Sequence, residues 1–202
     1  MKLKIALFLM ICLSIAYSGI AQLPEKPEDV SPLLIGETIP NEQVTTSDGK
    51  TVAFHDLIKE KPTVLIFYRG GWCPYCNTHL AEIGQAEAEI LQLGYQIIAV
   101  SPDDVKHLQA TDEKNKVNYQ LVSDGKGLLA TATGIAFKAP DRYGKMLAEY
   151  SDSANPGYLP VPTLMVLNTK GEILFEYIRP EYKSRISSDL LIAVLKNLDT
   201  KS

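Results

Sequence analysis

Residues 63–76 read Thr-Val-Leu-Ile-Phe-Tyr-Arg-Gly-Gly-Trp-Cys-Pro-Tyr-Cys. The run 63–68 is apolar, β-branched and aromatic without alternation, as expected of a parallel strand buried on both faces. Gly70 and Gly71 interrupt it, supplying a turn with positive φ and close backbone approach. After Cys73, Leu80, Ile83, Ala86 and Ile90 recur at helical spacing until Gly94 supplies the stop. Cys73-x-x-Cys76 therefore stands where a buried strand gives way to a helix. The two-residue spacer lets the sulfurs meet within one helical turn. The helix start brings unpaired N–H groups and a partial positive charge beside Cys73, which favours its thiolate, the nucleophilic form. Reversible dithiol–disulfide chemistry is the expectation.

The flanks extend the pattern. A turn signal at Ser47-Asp48-Gly49-Lys50 precedes a short strand candidate at 51–54, and Gln96–Ser101 is a further buried strand followed by a polar helix at about 103–115. Gln120–Ser123 reads as a weak strand and 127–133 as a short helix. Thr163–Leu167 and Ile173–Ile178 bracket Asn168-Thr169-Lys170-Gly171, a hairpin signal. An amphipathic helix at 186–198 closes the chain. Residues 136–160 form a long connection rich in Tyr, Pro, Asp and Gly, with a short helix near 141–150. It reads either as a functional lid or as a decorative insertion. No repeat and no second domain is visible.

The 202-residue chain suits one α/β domain, and its net charge of −4 with no basic cluster sets nucleic acid aside. Lys2 and Lys4, the apolar stretch Ile5–Ala16 and the small-residue exit Ser18–Ala21 read as a secretory signal spanning 1–21. An uncleaved anchor is the alternative, but the apolar stretch is short for spanning a bilayer. Cleavage after Ala21 would remove two lysines and no acid, taking the charge to −6. The expected address is then exported, periplasmic in a Gram-negative source, with no stable membrane insertion. Residues 22–32, rich in Pro and Glu, read as a flexible lead-in to a domain at 33–202. Cleavage also removes Cys12, leaving only Cys73 and Cys76. A bridge closing so small a loop constrains the unfolded chain little, so an exchangeable pair explains them better than a structural staple.

The stretch FYRGGWCPYC, with SPDD at 101–104, LVSDGKGLLATATGI at 121–135 and LPVPTLMVLNTKGEI at 159–173, resembles the AhpC/TSA peroxiredoxin-like group of the thioredoxin superfamily over about residues 33–198. The resemblance implies a thioredoxin-like three-layer α/β sandwich: a central mixed sheet flanked by helices, with peroxiredoxin-type elaboration. Peroxiredoxins carry Phe-Tyr-Pro-x-x-x-Thr-x-x-Cys. Laid on Phe67-Tyr68, that register puts Arg69 at the proline, Cys73 at the threonine and Cys76 at the peroxide-attacking cysteine. The family's distant arginine falls near Pro162. The companions that position peroxide are therefore absent, which weakens the case for fast peroxidase chemistry.

The same register resembles a thioredoxin site. There Cys73 attacks, Cys76 resolves, and Val161-Pro162-Thr163 matches the cis-proline segment that offers a backbone edge to an extended substrate. The plainer reading of Pro162 is a strand-start proline. Cys73 is expected to be the more exposed and more acidic thiol. Trp72 either shields the site or simply packs. Arg69 either stabilises a thiolate or an incoming anion, or sits on the surface of its Gly-rich loop. His79, one turn after Cys76, either manages the resolving thiol's proton or faces solvent, the second being the plainer reading. Arg179 and Arg185 read as solvated charges. The buried acid of thioredoxins, six residues before the first cysteine, is Phe67 here.

The implied activity is an antioxidant-type thiol oxidoreductase exchanging with protein or small-molecule disulfides, with an unidentified thiol electron donor and no cofactor. The alternative is a thioredoxin-dependent peroxidase acting on hydrogen peroxide or alkyl hydroperoxides. A remoter one is a copper chaperone using both cysteines and a histidine. Residues 108–202 contain no histidine, leaving His55, His79 and His107 for that role.

Overall fold

The computed structural model describes residues 22–198, so the segment read as a secretory signal lies outside the described residues. Nine strands are described: β1 Gln43–Thr46, β2 Thr51–Ala53, β3 Thr63–Phe67, β4 Gln96–Ser101, β5 Gln120–Ser123, β6 Ala136–Lys138, β7 Tyr158–Pro160, β8 Thr163–Leu167 and β9 Ile173–Ile178. The α-helices are α1 Phe54–Ile58, α2 Pro74–Gln92, α3 Val105–Asn115, α4 Leu128–Ala132, α5 Gly144–Tyr150 and α6 Ser188–Leu195. Seven strands form one mixed sheet in the order β2-β1-β5-β4-β3-β8-β9. β3, β4 and β5 run parallel, while β8 lies antiparallel to β3 and β9 antiparallel to β8.

The unbroken apolar run of β3 has its cause in the two layers that cover the sheet. Val64, Ile66 and Tyr68 join Leu80 and Ile83 of α2 and Leu191 of α6 on one face. Leu65 and Phe67 face the other way, toward Phe54, Ile58, Leu129 and Ala130. The three-layer sandwich with a central mixed sheet is thus the fold. The final helix is fixed by its cap: Ser187 accepts from Leu190 N–H, and Glu82 of α2 accepts from Ser188 N–H at 2.8 Å.

Two elements differ from the expected plan. Residues 136–160 are not an open loop: β6 and β7 pair antiparallel and, with α5 between them, form a small subassembly with its own apolar cluster. Residues 22–32, expected as a flexible lead-in, are fastened to the body. Lys138 N–H donates to Pro24, and Leu33 N–H donates to Thr133. Among the described residues no helix is long and apolar enough to cross a membrane.

Candidate active site

β3 delivers the chain into the loop 68–73 at the carboxyl edge of the sheet. Tyr68 N–H still bonds Val100 of β4, so the loop leaves from a fixed point. Gly70 has φ +135°, a conformation that excludes ordinary side chains, and a Cβ on Gly71 would collide with Thr111 Oγ1. The backbone between them is clamped. Gly71 N–H donates to Asp103 Oδ2 at 2.7 Å, and Gly71 C=O accepts from Asn77 Nδ2 at 2.8 Å. Asn115 Nδ2 in turn donates to Asn77 Oδ1 at 3.0 Å. Cys73 is the N-cap residue of α2 with Pro74 at its first turn, and its C=O accepts from Cys76 and Asn77 N–H.

Both thiols are buried, each about 1% exposed. Cys73 was expected to be the more exposed of the two; at the surface they do not differ, because Tyr143 and Tyr182 pack over the helix start at Trp72 and Tyr75, and Cys76 only lies the deeper beneath it. The expected acidity of Cys73 holds. Contact with the Cys76 thiol and amide, then the Arg69 and Arg185 charges, draw the Cys73 thiol down from 9.0 to about 6 against the cost of burial. Burial, and then the Cys73 thiolate beside it, push the Cys76 thiol well up. The pair is an acidic thiol beside one that keeps its proton.

Arg185 corrects the expectation of a solvated charge. Its Nη2 donates to Cys76 Sγ at 3.5 Å, while Nη1 bonds the carbonyls of Tyr182 and Ser184. A segment more than a hundred residues downstream thus returns a guanidinium to the sulfur, and no local pattern in PEYKSR announces that return. Arg69 is 5% exposed and so is not a surface arginine. Its guanidinium lies 4.9 Å from the centroid of Trp72, 4.9 Å from Tyr143 and 4.4 Å from Tyr182. Trp72 serves both packing and cover: it touches the main core and stacks on Tyr143 at 5.4 Å.

His79 is 4% exposed, not solvent-facing as its plainer reading had it. Burial, and then Arg185, lower its pKa to about 4, so the ring is neutral at pH 7. Pro162 is also corrected: among the described residues no peptide bond is cis. Val161 N–H donates to Ile135 C=O at 2.9 Å, and Pro162 C=O accepts from Arg179 N–H. The backbone edge that a cis-proline loop would offer to a substrate is used inside the chain. Of the other histidines, His55 bonds Ile39 C=O and His107 bonds Asp104. Among the described residues no group of three His, Cys, Asp or Glu is placed to hold a metal ion.

Asp103 lay in the quoted SPDD segment without an assigned part. It is 1% exposed, and burial raises its carboxyl to about 7 despite the Gly71 N–H bond. The structure thus puts a buried acid beside the loop from α3's side of the sheet, where thioredoxins carry theirs on the strand.

The chain matches the AhpC/TSA family over residues 35–175. It is 26% identical over 177 residues to a 1-Cys peroxiredoxin of Medicago truncatula, covering 84% of this chain and 75% of that one. Its fold is similar to that of reduced Prx3 from Vibrio vulnificus, with a TM-score of 0.70 and 17% identity over 82% of this chain and 99% of that one. The peroxidoxin BcpB of Mycobacterium tuberculosis is similar at a TM-score of 0.64 and 20% identity, covering 80% and 96%. The family match spans more than two thirds of the chain, so the chain belongs to the AhpC/TSA family and is a thiol-based oxidoreductase of the peroxiredoxin-like thioredoxin superfamily.

Proposed function

We propose that Cys73 and Cys76 reduce small disulfides by a dithiol–disulfide cycle. The Cys73 thiolate attacks one sulfur of the substrate, forming a mixed disulfide and releasing the other half as thiolate. Cys76 then attacks Cys73, its proton leaving with the second substrate thiol, and the protein closes as the disulfide. A cellular thiol donor resets the pair. The observation that carries this reading is the opposite treatment of the two thiols: one drawn down to about 6, its neighbour pushed up. Small rather than protein substrates are favoured because the Val161 N–H is already bonded within the chain. Trp72, Arg69 and Pro162 shape the approach. His79, neutral at pH 7, packs rather than carries protons.

A second reading has its own observation. Arg185 stands on Cys76, the cysteine in the peroxide-attacking register, and supplies a guanidinium where the family's own arginine is missing. In that case a hydroperoxide oxidises one thiolate to a sulfenic acid with release of an alcohol or water, and the other cysteine condenses with it, releasing water. The separating experiment follows thiol loss from reduced residues 22–202 with hydrogen peroxide, with a small disulfide and with insulin, beside glutathione. A peroxide rate near that of glutathione, with rapid exchange on the small disulfide and little on insulin, supports disulfide exchange. A peroxide rate far above that of glutathione, lost in Cys76→Ser, moves the assignment to the peroxidase. Export belongs to the same proposal and is supported by the Lys2, Lys4 and Ile5–Ala16 pattern; a mature protein beginning at Gln22 is the expected finding by mass spectrometry.

A further inference from the structure

The active-site loop contributes Arg69 to a cleft of about 320 Å³, lined also by Arg142, Tyr143, Tyr182, Phe137 and Leu159 among others. Its walls come from the 136–160 subassembly and from the chain after β9, and Pro162 joins it to the active-site loop. Arg69 is buried: three rings lie against its guanidinium, and its Nε is buried with no hydrogen-bond partner. Among the described residues no carboxylate forms an ion pair with it. The Cys73 thiolate offsets part of the cost of burying this cation, and an incoming carboxylate relieves the rest. Arg142 adds a second guanidinium 4.9 Å from the Tyr143 ring. The two arginines, Arg69 foremost, lower the pKa of the Tyr143 hydroxyl, so the polar end of the cleft is electropositive.

The acids at the rim do not cancel it. Glu181 is engaged by the Ser184 hydroxyl and the Lys183 amide, and Glu28 lies exposed at the outer edge. The remaining walls are aromatic and aliphatic. The volume suits a small molecule and not a peptide strand.

We infer that this cleft binds a small substrate carrying a carboxylate on an apolar or aromatic body, the carboxylate meeting Arg69 and Arg142 and the body lying against Tyr143, Tyr182 and Phe137. The inference rests on the thiol-reductase reading and names the substrate class of that site. Two sources share this chemistry: a carboxylate-bearing disulfide and a fatty-acid hydroperoxide.

Binding is tested apart from thiol chemistry by the fluorescence of Trp72, the chain's one tryptophan, which stacks on Tyr143. Reduced protein is titrated with 4-phenylbutyrate and with 4-phenylbutanol. Saturable change with the acid, at least several-fold weaker with the alcohol, is expected. Arg142→Gln, an exposed position that leaves the core untouched, weakens the acid roughly tenfold and the alcohol far less. Equal binding of acid and alcohol, or an unchanged acid affinity in Arg142→Gln, overturns the inference. Turnover is then read with 5,5′-dithiobis(2-nitrobenzoate) against neutral dithiodipyridine, and with linoleic acid hydroperoxide against cumene hydroperoxide. Whichever pair is turned over names the source, and Arg142→Gln raises KM for its acidic member selectively. A KM that rises equally for both members overturns the inference. Absence of turnover with all four probes while phenylbutyrate still binds overturns the thiol-reductase reading and leaves the carboxylate site supported.

Discussion

Cys73 and Cys76 differ by three positions, and their acidities move in opposite directions. The cause lies in their surroundings, since the residue type is the same. Cys73 receives the Cys76 thiol and amide as partners and two guanidinia as neighbours, whereas Cys76 sits deeper and faces a developing thiolate. The alkylation rate of Cys73 by iodoacetamide should therefore climb with a midpoint near pH 6 and level off by about pH 8. Stopped sampling with peptide mass spectrometry reads it site by site, and a midpoint near 9 would refute the assignment. Cys73, Cys76 and their order of acidity were legible in the sequence, because helix-end electrostatics are local. Arg185 was not, since its partner lies 109 positions away, and neither was the burial of His79.

At the scale of elements, the active-site loop is held by parts of three segments. α3 presses Thr111 against Gly71, the turn before α3 supplies Asp103, and α2 reaches back through Asn77. Gly71→Ala places a methyl on Thr111 Oγ1. The expected cost is about 1–3 kcal/mol in urea unfolding, with the Cys73 midpoint moving upward as the loop shifts off the helix start. An unchanged midpoint would show that the clamp does not position the thiol. β3, β4 and β8 were readable as apolar runs because burial on both faces leaves so strong a mark, and the hairpin signal at 168–171 supplied the half-buried β9. β6 and β7 were not: each has three residues, and their pairing is made across the nineteen residues 139–157.

Across the whole molecule, the sheet's two covered faces leave acids in places where water does not reach. Asp103 has a folded pKa near 7 against an ordinary 3.8. A group raised in this way supports the fold fully below about pH 4, where both states are protonated, and that support is lost as pH rises through 7. His79, lowered from 6.5 to about 4, acts in the opposite sense, its contribution being present above 6.5 and lost as pH falls through 4. The comparison of Asp103→Asn with the parent isolates the first effect. The variant should gain on the parent by roughly 2–4 kcal/mol between pH 4 and pH 8, read from urea midpoints at each pH. A pH-independent difference would place the carboxyl in contact with solvent. Chain-wide class was legible in the sequence; these interior charges were not, since they depend on which segments meet.

The bond from Val161 N–H to Ile135 carries a consequence for the company this protein keeps. Enzymes that shuffle disulfides in folding polypeptides must hold an unfolded strand for long enough to exchange with it, and they do so through open backbone groups. Here those groups are committed to the chain's own ribbon. A half-folded neighbour with mispaired cysteines is offered no free Val161 N–H to pair with. On the proposed small-disulfide reading, the pair turns over its substrates without rewriting the cross-links of other chains.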